Sequence, residues 1–106
     1  MIVFSNPVAG REAEYNDWYQ NVHLKQVLAL AGFKSAQRFR LALNMSQDRA
    51  AHPYLAIYEI ETDDLAAVMQ AVQNTAGTEQ LVVSGALDTA NAFPAIYEEL
   101  APALKK

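Results

Sequence analysis

The chain of 106 residues has no cysteine and few charged side chains. The lack of cysteine excludes disulfides, thiolate metal sites and a cysteine nucleophile. Charged residues make up 19% of the sequence, below the usual fraction of about 25%. This deficit leaves little charge to cover a monomer and favours a surface buried against a second copy. Hydrophobic residues, at 52%, are sufficient for the core of a single domain spanning residues 1–106.

Basic stripes and long apolar runs are also missing. Eight Lys and Arg residues stand against twelve Asp and Glu, and only Lys105 and Lys106 are adjacent. Nucleic acid and anionic membranes are therefore not expected as partners. No stretch approaches the length of about 18 apolar residues that spans a membrane. The first residues, MIVFSNP, lack the basic start of a signal peptide, which predicts a cytoplasmic protein.

Runs of β-branched and aromatic residues predict four strands, and helical spacing predicts two helices between them. The strands are expected at residues 1–5, 34–43 and 54–61, with a closing strand within 92–100. Pro94 places the closing strand late or at an edge of the sheet. The second helix should follow Thr62 or Asp63, either of which can cap it. Residues 79–91 fit either a short strand or a packed loop.

The first helix is expected to begin near Arg11 and to carry an aromatic stripe. Its members recur at i, i+3, i+4 and i+7, the spacing of one helical face. They are Tyr15, Trp18, Tyr19 and Val22. The apolar residues from Leu24 onward are shifted in phase, which predicts a bend or a restart near His23. Gly32 then suits the C-terminal end of the helix.

The predicted order β-α-β-β-α-β is that of a ferredoxin-like α+β fold, an antiparallel sheet with both helices on one face. Strands two and three nevertheless carry apolar residues on both faces. Phe39 and Leu41 alternate with Ala42, and Ile57 precedes Tyr58. A sheet face left open in this way needs a ligand or a partner to cover it. The simplest cover is the same face of a second copy, in an isologous dimer.

Three stretches of the chain carry a family resemblance. GREAEYNDWYQNVH, GFKSAQRFRL and YLAIYEIE resemble the EthD-like group of the dimeric α+β barrel superfamily. The resemblance implies a homodimer whose two sheets close into a barrel, with a pocket inside the barrel or between each sheet and its helices. It extends over roughly the first two-thirds of the chain.

The same resemblance leaves the reaction open. The superfamily includes cofactor-free monooxygenases, muconolactone isomerases, polyketide cyclases and haem enzymes, and EthD-like members are linked to the breakdown of ethers and other xenobiotics. Related sequences often have proline two positions after the motif histidine. Lys25 stands there in this chain, so the break near His23 should be milder.

His23 is the first candidate catalytic residue. An imidazole has an unperturbed pKa near 6.5, suited to general acid or base work. Alternatively, His23 is a half-buried residue that bonds a backbone carbonyl and ends the first helical segment. In relatives the motif histidine lies at a pocket, which strengthens the catalytic interpretation.

Tyr58 is the second catalytic candidate, and its aromatic neighbours on the first helix are candidate substrate-binding residues. Tyr58 lies mid-strand, where a phenol points into the barrel or the helix layer. A buried phenol needs a hydrogen-bond partner, which a pocket shared with His23 would supply. Trp18 and Tyr19 belong either to the core or to a pocket, as a flat wall and a hydroxyl.

Arg38 and Asn6 complete the candidate binding residues. Arg38 shares a strand face with Arg40. It either pairs across the sheet with Glu59 or Glu61, or recognises a carboxylate or enolate oxygen through its forked donors. Asn6 is either a turn residue before a proline or an amide aimed into the pocket.

Metal and cofactor sites are not expected. The two histidines lie 29 residues apart and lack ligand spacing. His23 would be the sole candidate axial ligand for haem. The sequence has neither a Gly-rich phosphate loop nor a GxSxG elbow.

The leading hypothesis is a cofactor-independent lyase, isomerase or cyclase that uses His23 and Tyr58 on an aromatic, polyketide-like or xenobiotic compound. The alternatives are a binding module that holds a hydrophobic ligand unchanged and a cofactor-free monooxygenase.

Overall fold

A computed structural model describes residues 1–106 as an α+β domain built on one four-stranded antiparallel sheet, as predicted. Its strands are β1 (Ile2–Ser5), β2 (Phe33–Arg40), β3 (Tyr54–Ile60) and β4 (Phe93–Ala95). Its helices are α1 (Glu12–Trp18), α2 (Leu24–Leu28) and α3 (Leu65–Thr75). The strand order β2-β3-β1-β4 is compatible with a ferredoxin-like fold. None of the helices has the length and apolar character needed to cross a bilayer.

A π-helical turn, Tyr19–His23, joins α1 to α2 at the place where the sequence predicts a bend or restart. A π turn bonds i to i+5 and so accommodates an extra residue. The buried positions accordingly jump by five, from Tyr19 to Leu24. Val22, predicted to lie on the buried stripe, is instead exposed because the wider turn rotates it away from the sheet.

The second long helix, α3, starts later than predicted. Its N-cap is Asp64, whose carboxylate accepts a hydrogen bond from the backbone N–H of Ala67 at 3.0 Å. Thr62, one of the two expected caps, instead accepts a hydrogen bond from the Asp64 backbone N–H. Gly32 has φ +94°, and a Cβ there would lie 2.9 Å from a methyl carbon of Val68. Glycine therefore permits both the turn after α2 and the approach of α3.

Two strands are shorter in the structure than the sequence predicts. β2 ends at Arg40 rather than at residue 43, and Leu43 is largely exposed. β4 has three residues and lies at the sheet edge, as Pro94 suggested. Residues 79–91 form a packed loop with isolated bridges and a 3₁₀ turn rather than a strand. Within this loop Leu81 and Ala86 are buried in the core.

The core lies between one face of the sheet and the helices. Ala56 and Tyr58 point to this face, which we call the helix face, and join a buried cluster with Tyr15 and Val68. The opposite face, which we call the bare face, has no covering layer. It carries Phe4, Phe39, Leu55, Ile57 and Phe93. The predicted uncovered face is therefore present in the single chain.

Candidate functional site

Arg38 lies among three tyrosine rings on the helix face. β2 and β3 pair so that Arg38 stands opposite Ala56, whose small side chain leaves room for a guanidinium. The guanidinium carbon is 4.6 Å from the ring centroid of Tyr19. It is 5.4 Å from that of Tyr15 and 5.3 Å from that of Tyr54. Such cation–π contacts hold the positive charge against the aromatic layer.

No carboxylate pairs with Arg38. The strand register places Glu59 opposite Ser35, so the predicted cross-strand pair does not form. The molecule's single ion pair joins Arg11 to Glu14 instead. Arg38 donates from Nη2 to Asn16 Oδ1 at 2.7 Å. A half-buried guanidinium with five N–H donors thus lacks an anionic partner.

A chain of hydrogen bonds continues from Asn16 toward the surface. Asn16 Nδ2 donates to the Tyr54 hydroxyl at 3.0 Å, and that hydroxyl donates to Glu12 Oε1 at 2.5 Å. Asn16 therefore links the arginine to the phenol and fixes both. Sequence reasoning missed these contacts because Tyr54 lies 38 residues from Asn16 and 42 residues from Glu12 along the chain.

An open hollow of about 430 Å³ borders this network at the outer side of β2. Its lining residues are Asn16, Gln20, Arg38, Phe39, Arg40 and Tyr54. The hollow combines two cationic side chains with two aromatic rings, which suits a small ligand having an anionic group and a flat apolar part.

His23, at the end of the π turn, is enclosed by aromatic rings. Its ring centroid lies 4.6 Å from that of Trp18 and 4.9 Å from that of Tyr19. Burial, with the positive charge of Arg38, lowers the pKa of His23 to about 4, so the imidazole is neutral at pH 7. Its Nδ1 is buried and has no hydrogen-bond partner. The alternative prediction, that His23 bonds a backbone carbonyl, has no counterpart at this nitrogen.

Tyr58 is buried and its hydroxyl donates to the Tyr19 hydroxyl at 3.4 Å. Burial raises the pKa of both phenols, and for Tyr58 the neighbouring Tyr19 adds to the rise. His23 and Tyr58 do not hydrogen-bond to each other. Both instead contact Tyr19. The His23 ring packs against the ring of Tyr19, and the Tyr58 hydroxyl bonds the hydroxyl of Tyr19. The two predicted catalytic residues are therefore neighbours of one tyrosine rather than a direct pair.

Trp18 and Asn6 have structural partners. Trp18 Nε1 donates to the carbonyl of Val82 at 3.0 Å, which ties the helix to the loop before β4. Asn6 Oδ1 lies 2.6 Å from His52 Nδ1. This pair lies beside Phe4 at the bare face, since the His52 and Phe4 ring centroids are 5.6 Å apart. Asn6 is therefore separate from the Arg38 cluster.

The predicted residues differ in their access to solvent. His23, Trp18 and Tyr19 line neither the hollow nor the apolar groove beside Phe4 and Phe39, whereas Arg38 borders the hollow. No three His, Asp or Glu side chains converge in a way that would hold a metal ion. The arrangement therefore offers an accessible cation beside buried proton donors and acceptors.

Comparison of the chain with family models, with curated proteins and with solved structures finds no match. The EthD-like resemblance therefore stays a prediction, and the function has to be argued from the site.

Proposed function

We propose that the protein is a homodimeric enzyme of the lyase, isomerase or cyclase type that acts without a cofactor on an aromatic, polyketide-like or xenobiotic compound. The observation that carries the proposal is the guanidinium of Arg38, which borders an open hollow and has no anionic partner. A carboxylate or enolate oxygen would supply the missing negative charge. A proton-transfer reaction next to a carbonyl develops such an oxygen.

The aromatic surroundings of Arg38 support the ligand class. Phe39 and Tyr54 line the hollow and offer flat apolar surface, while Asn16 and the guanidinium offer donors. An enolate formed beside a fixed cation is stabilised more than its neutral precursor, which is the requirement for catalysis. Arg38 is already held by Asn16 and three rings, so little reorganisation is needed.

His23 and Tyr58 supply the acid and base in this proposal. The neutral imidazole has a free Nδ1 that can accept a proton from the ligand. The raised pKa of Tyr58 keeps its phenol protonated, so it can donate. Because His23 is closed off by Trp18 and Tyr19, one of these rings has to turn before a ligand reaches Nδ1.

The second copy is part of the proposal. Phe4, Phe39, Ile57 and Phe93 are all at least 36% exposed on the bare face. An apolar face of this kind, self-complementary about a two-fold axis, would be covered in an isologous dimer.

One observation favours a second candidate function, a binding module. The hollow is open but His23 is not, so a ligand can occupy the Arg38 site without meeting the proposed base. In that case the protein would hold a hydrophobic anion and release it unchanged.

The experiment uses a panel of enolisable aryl ketones and 1,3-diketones in D2O, with deuterium incorporation followed by proton NMR. We expect the protein to accelerate exchange of at least one member. His23→Ala and Tyr58→Phe should each lower that rate, by about 10²–10⁴-fold for an acid–base residue. Arg38→Met should weaken ligand binding as well as exchange. The matched controls are His52→Ala and Tyr97→Phe, which should leave the rate unchanged.

The outcomes separate the candidates. Ligand binding that depends on Arg38, without any exchange, supports the binding module. Exchange that persists in His23→Ala and Tyr58→Phe, with folding intact, removes the proposed acid–base pair. Oxygen consumption with a quinol-like compound, tested separately from the panel, would identify a monooxygenase instead.

A further inference from the structure

Residues 96–106, which we call the arm, follow β4 and are exposed along their whole length. No residue of the arm takes part in a hydrogen bond. Leu100 and Leu104 are 100% and 101% exposed, and Tyr97 is 70% exposed. Large apolar side chains fully in water contribute nothing to the stability of a single copy.

The composition of the arm limits its freedom. Pro102 fixes its own φ and restricts Ala101 before it to extended conformations. A segment already restricted in this way loses less entropy when it packs on another surface. The arm is therefore suited to docking.

The arm stands away from its own sheet. An open concavity of about 760 Å³ separates residues such as Tyr97 and Glu98 from Ile2 and Ile57 on the strands. Ile2 and Ile57, which belong to the bare face, are among the apolar residues that line this concavity.

An apolar groove of about 460 Å³ lies at the other end of the bare face. It is lined by Phe4, Phe39, Arg40, Leu41, Ala42, Ala51, His52, Tyr54, Leu55 and Phe93. β4 runs from Phe93, beside Phe4, to Ala95, beside Ile2. Each arm consequently leaves its own sheet at the end remote from its own groove.

We propose that the arms are exchanged in the homodimer, so that Leu100 and Leu104 of each copy pack on the bare face of the partner, in and beside this groove. The inference rests on the dimer of the proposed function. The second copy is the chosen occupant because one chain carries both complementary parts, a free apolar arm and an uncovered apolar face. Two-fold symmetry makes each contact occur twice.

The absence of cysteine makes a direct test possible. A nitroxide attached to Lys105→Cys on unlabelled copies is mixed with ¹⁵N-labelled copies of the natural sequence. Broadening of amide signals in the ¹⁵N copies then reports only contacts between chains. We expect broadening at Phe4, Phe39 and Leu55. Broadening seen only when the nitroxide and ¹⁵N are on the same chain would place the arm on its own sheet and overturn the proposal.

A second measurement uses paired substitutions and light scattering over a dilution series. Leu100→Asp with Leu104→Asp should raise the dimer dissociation constant about tenfold or more, since two apolar side chains lose a buried environment. The matched control, Ala101→Asp with Ala103→Asp, adds the same charge to the arm but should have a much smaller effect. Circular dichroism should show both variants folded, because the arm makes no hydrogen bond in the protomer.

The results distinguish this inference from the dimer itself. If the natural sequence is dimeric and the variant Leu100→Asp with Leu104→Asp dimerises equally well, arm exchange is overturned. The proposal of a dimer is then unaffected. A natural sequence that is monomeric overturns both.

Discussion

Tyr58 and Ile57 are adjacent in β3 but have opposite surroundings. Tyr58, on the helix face, is 2% exposed, whereas Ile57, on the bare face, is 37% exposed. The helix face is filled by aromatic rings whose hydroxyls have partners, and the bare face consists of apolar side chains without a covering layer. Only 12 of 106 residues are buried in the single chain, and none of the bare-face residues Phe4, Phe39, Leu55, Ile57 and Phe93 is among them.

The largest expected effect tests this difference along one strand. Tyr58→Ala should lower the free energy of unfolding by about 3–5 kcal/mol, since it leaves a large cavity and an unpartnered Tyr19 hydroxyl. Urea denaturation measures the change. Ile57→Ala is the neighbouring control and should cost less than about 1.5 kcal/mol in a dilute sample, where its side chain is partly in water.

Varying the protein concentration gives a second comparison of Tyr58→Ala with Ile57→Ala. If a second copy covers the bare face, the effect of Ile57→Ala should grow as the protein concentration rises, while that of Tyr58→Ala should stay constant. Equal effects at every concentration would contradict the distinction between the faces.

The imidazole of His23, which aromatic rings enclose on the helix face, gives the next test. The pKa of His23 is lowered to about 4 in the folded chain, against about 6.5 when unfolded. Between these values the unfolded chain binds a proton that the folded chain does not. Stability should therefore fall as the pH drops from about 6.5 to 4, by up to about 3 kcal/mol, with no contribution from His23 above that window.

Urea denaturation across this pH range measures the slope for the natural sequence and for His23→Gln. His23→Gln should flatten the slope relative to the natural sequence. A slope that persists unchanged in His23→Gln would show that this imidazole is not buried in neutral form.

The smallest expected effect concerns a single hydrogen bond on the helix face. Ser5 Oγ and the Tyr15 hydroxyl are 2.5 Å apart and buried. Tyr15→Phe leaves Ser5 without its partner and should cost about 1–3 kcal/mol. Ser5→Ala combined with Tyr15→Phe should recover part of the loss. Tyr97→Phe, which alters an exposed phenol, should stay within about 0.5 kcal/mol of the natural sequence. A double variant no more stable than Tyr15→Phe alone would contradict the assigned bond.

Periodicity predicted the elements well because each depends on neighbours in the chain. The phase shift from Leu24 onward predicted a bend or restart near His23, where the structure has a π turn, and alternation in β3 assigned Tyr58 and Ile57 to opposite faces. The same alternation placed an apolar surface on the uncovered side. Local pattern was therefore sufficient for the layers of the fold.

Pairings between distant residues were beyond this reasoning. Glu12 meets Tyr54 across 42 residues, and Asn6 meets His52 across 46. Such contacts depend on strand register and on the rotation that the π turn imposes, neither of which periodicity fixes. For the same reason the partner of Tyr58 was expected from a pocket shared with His23, whereas the structure has its hydrogen bond to Tyr19.

The most direct measurement of the central claim, that the bare face is covered by a second copy, is sedimentation equilibrium from nanomolar to high micromolar concentration. The natural sequence should reach twice the 11.7 kDa of one chain at micromolar concentration. Phe39→Asp, which places a charge on the bare face, should shift it toward a single chain. A natural sequence that sediments as one chain at every concentration would contradict the claim.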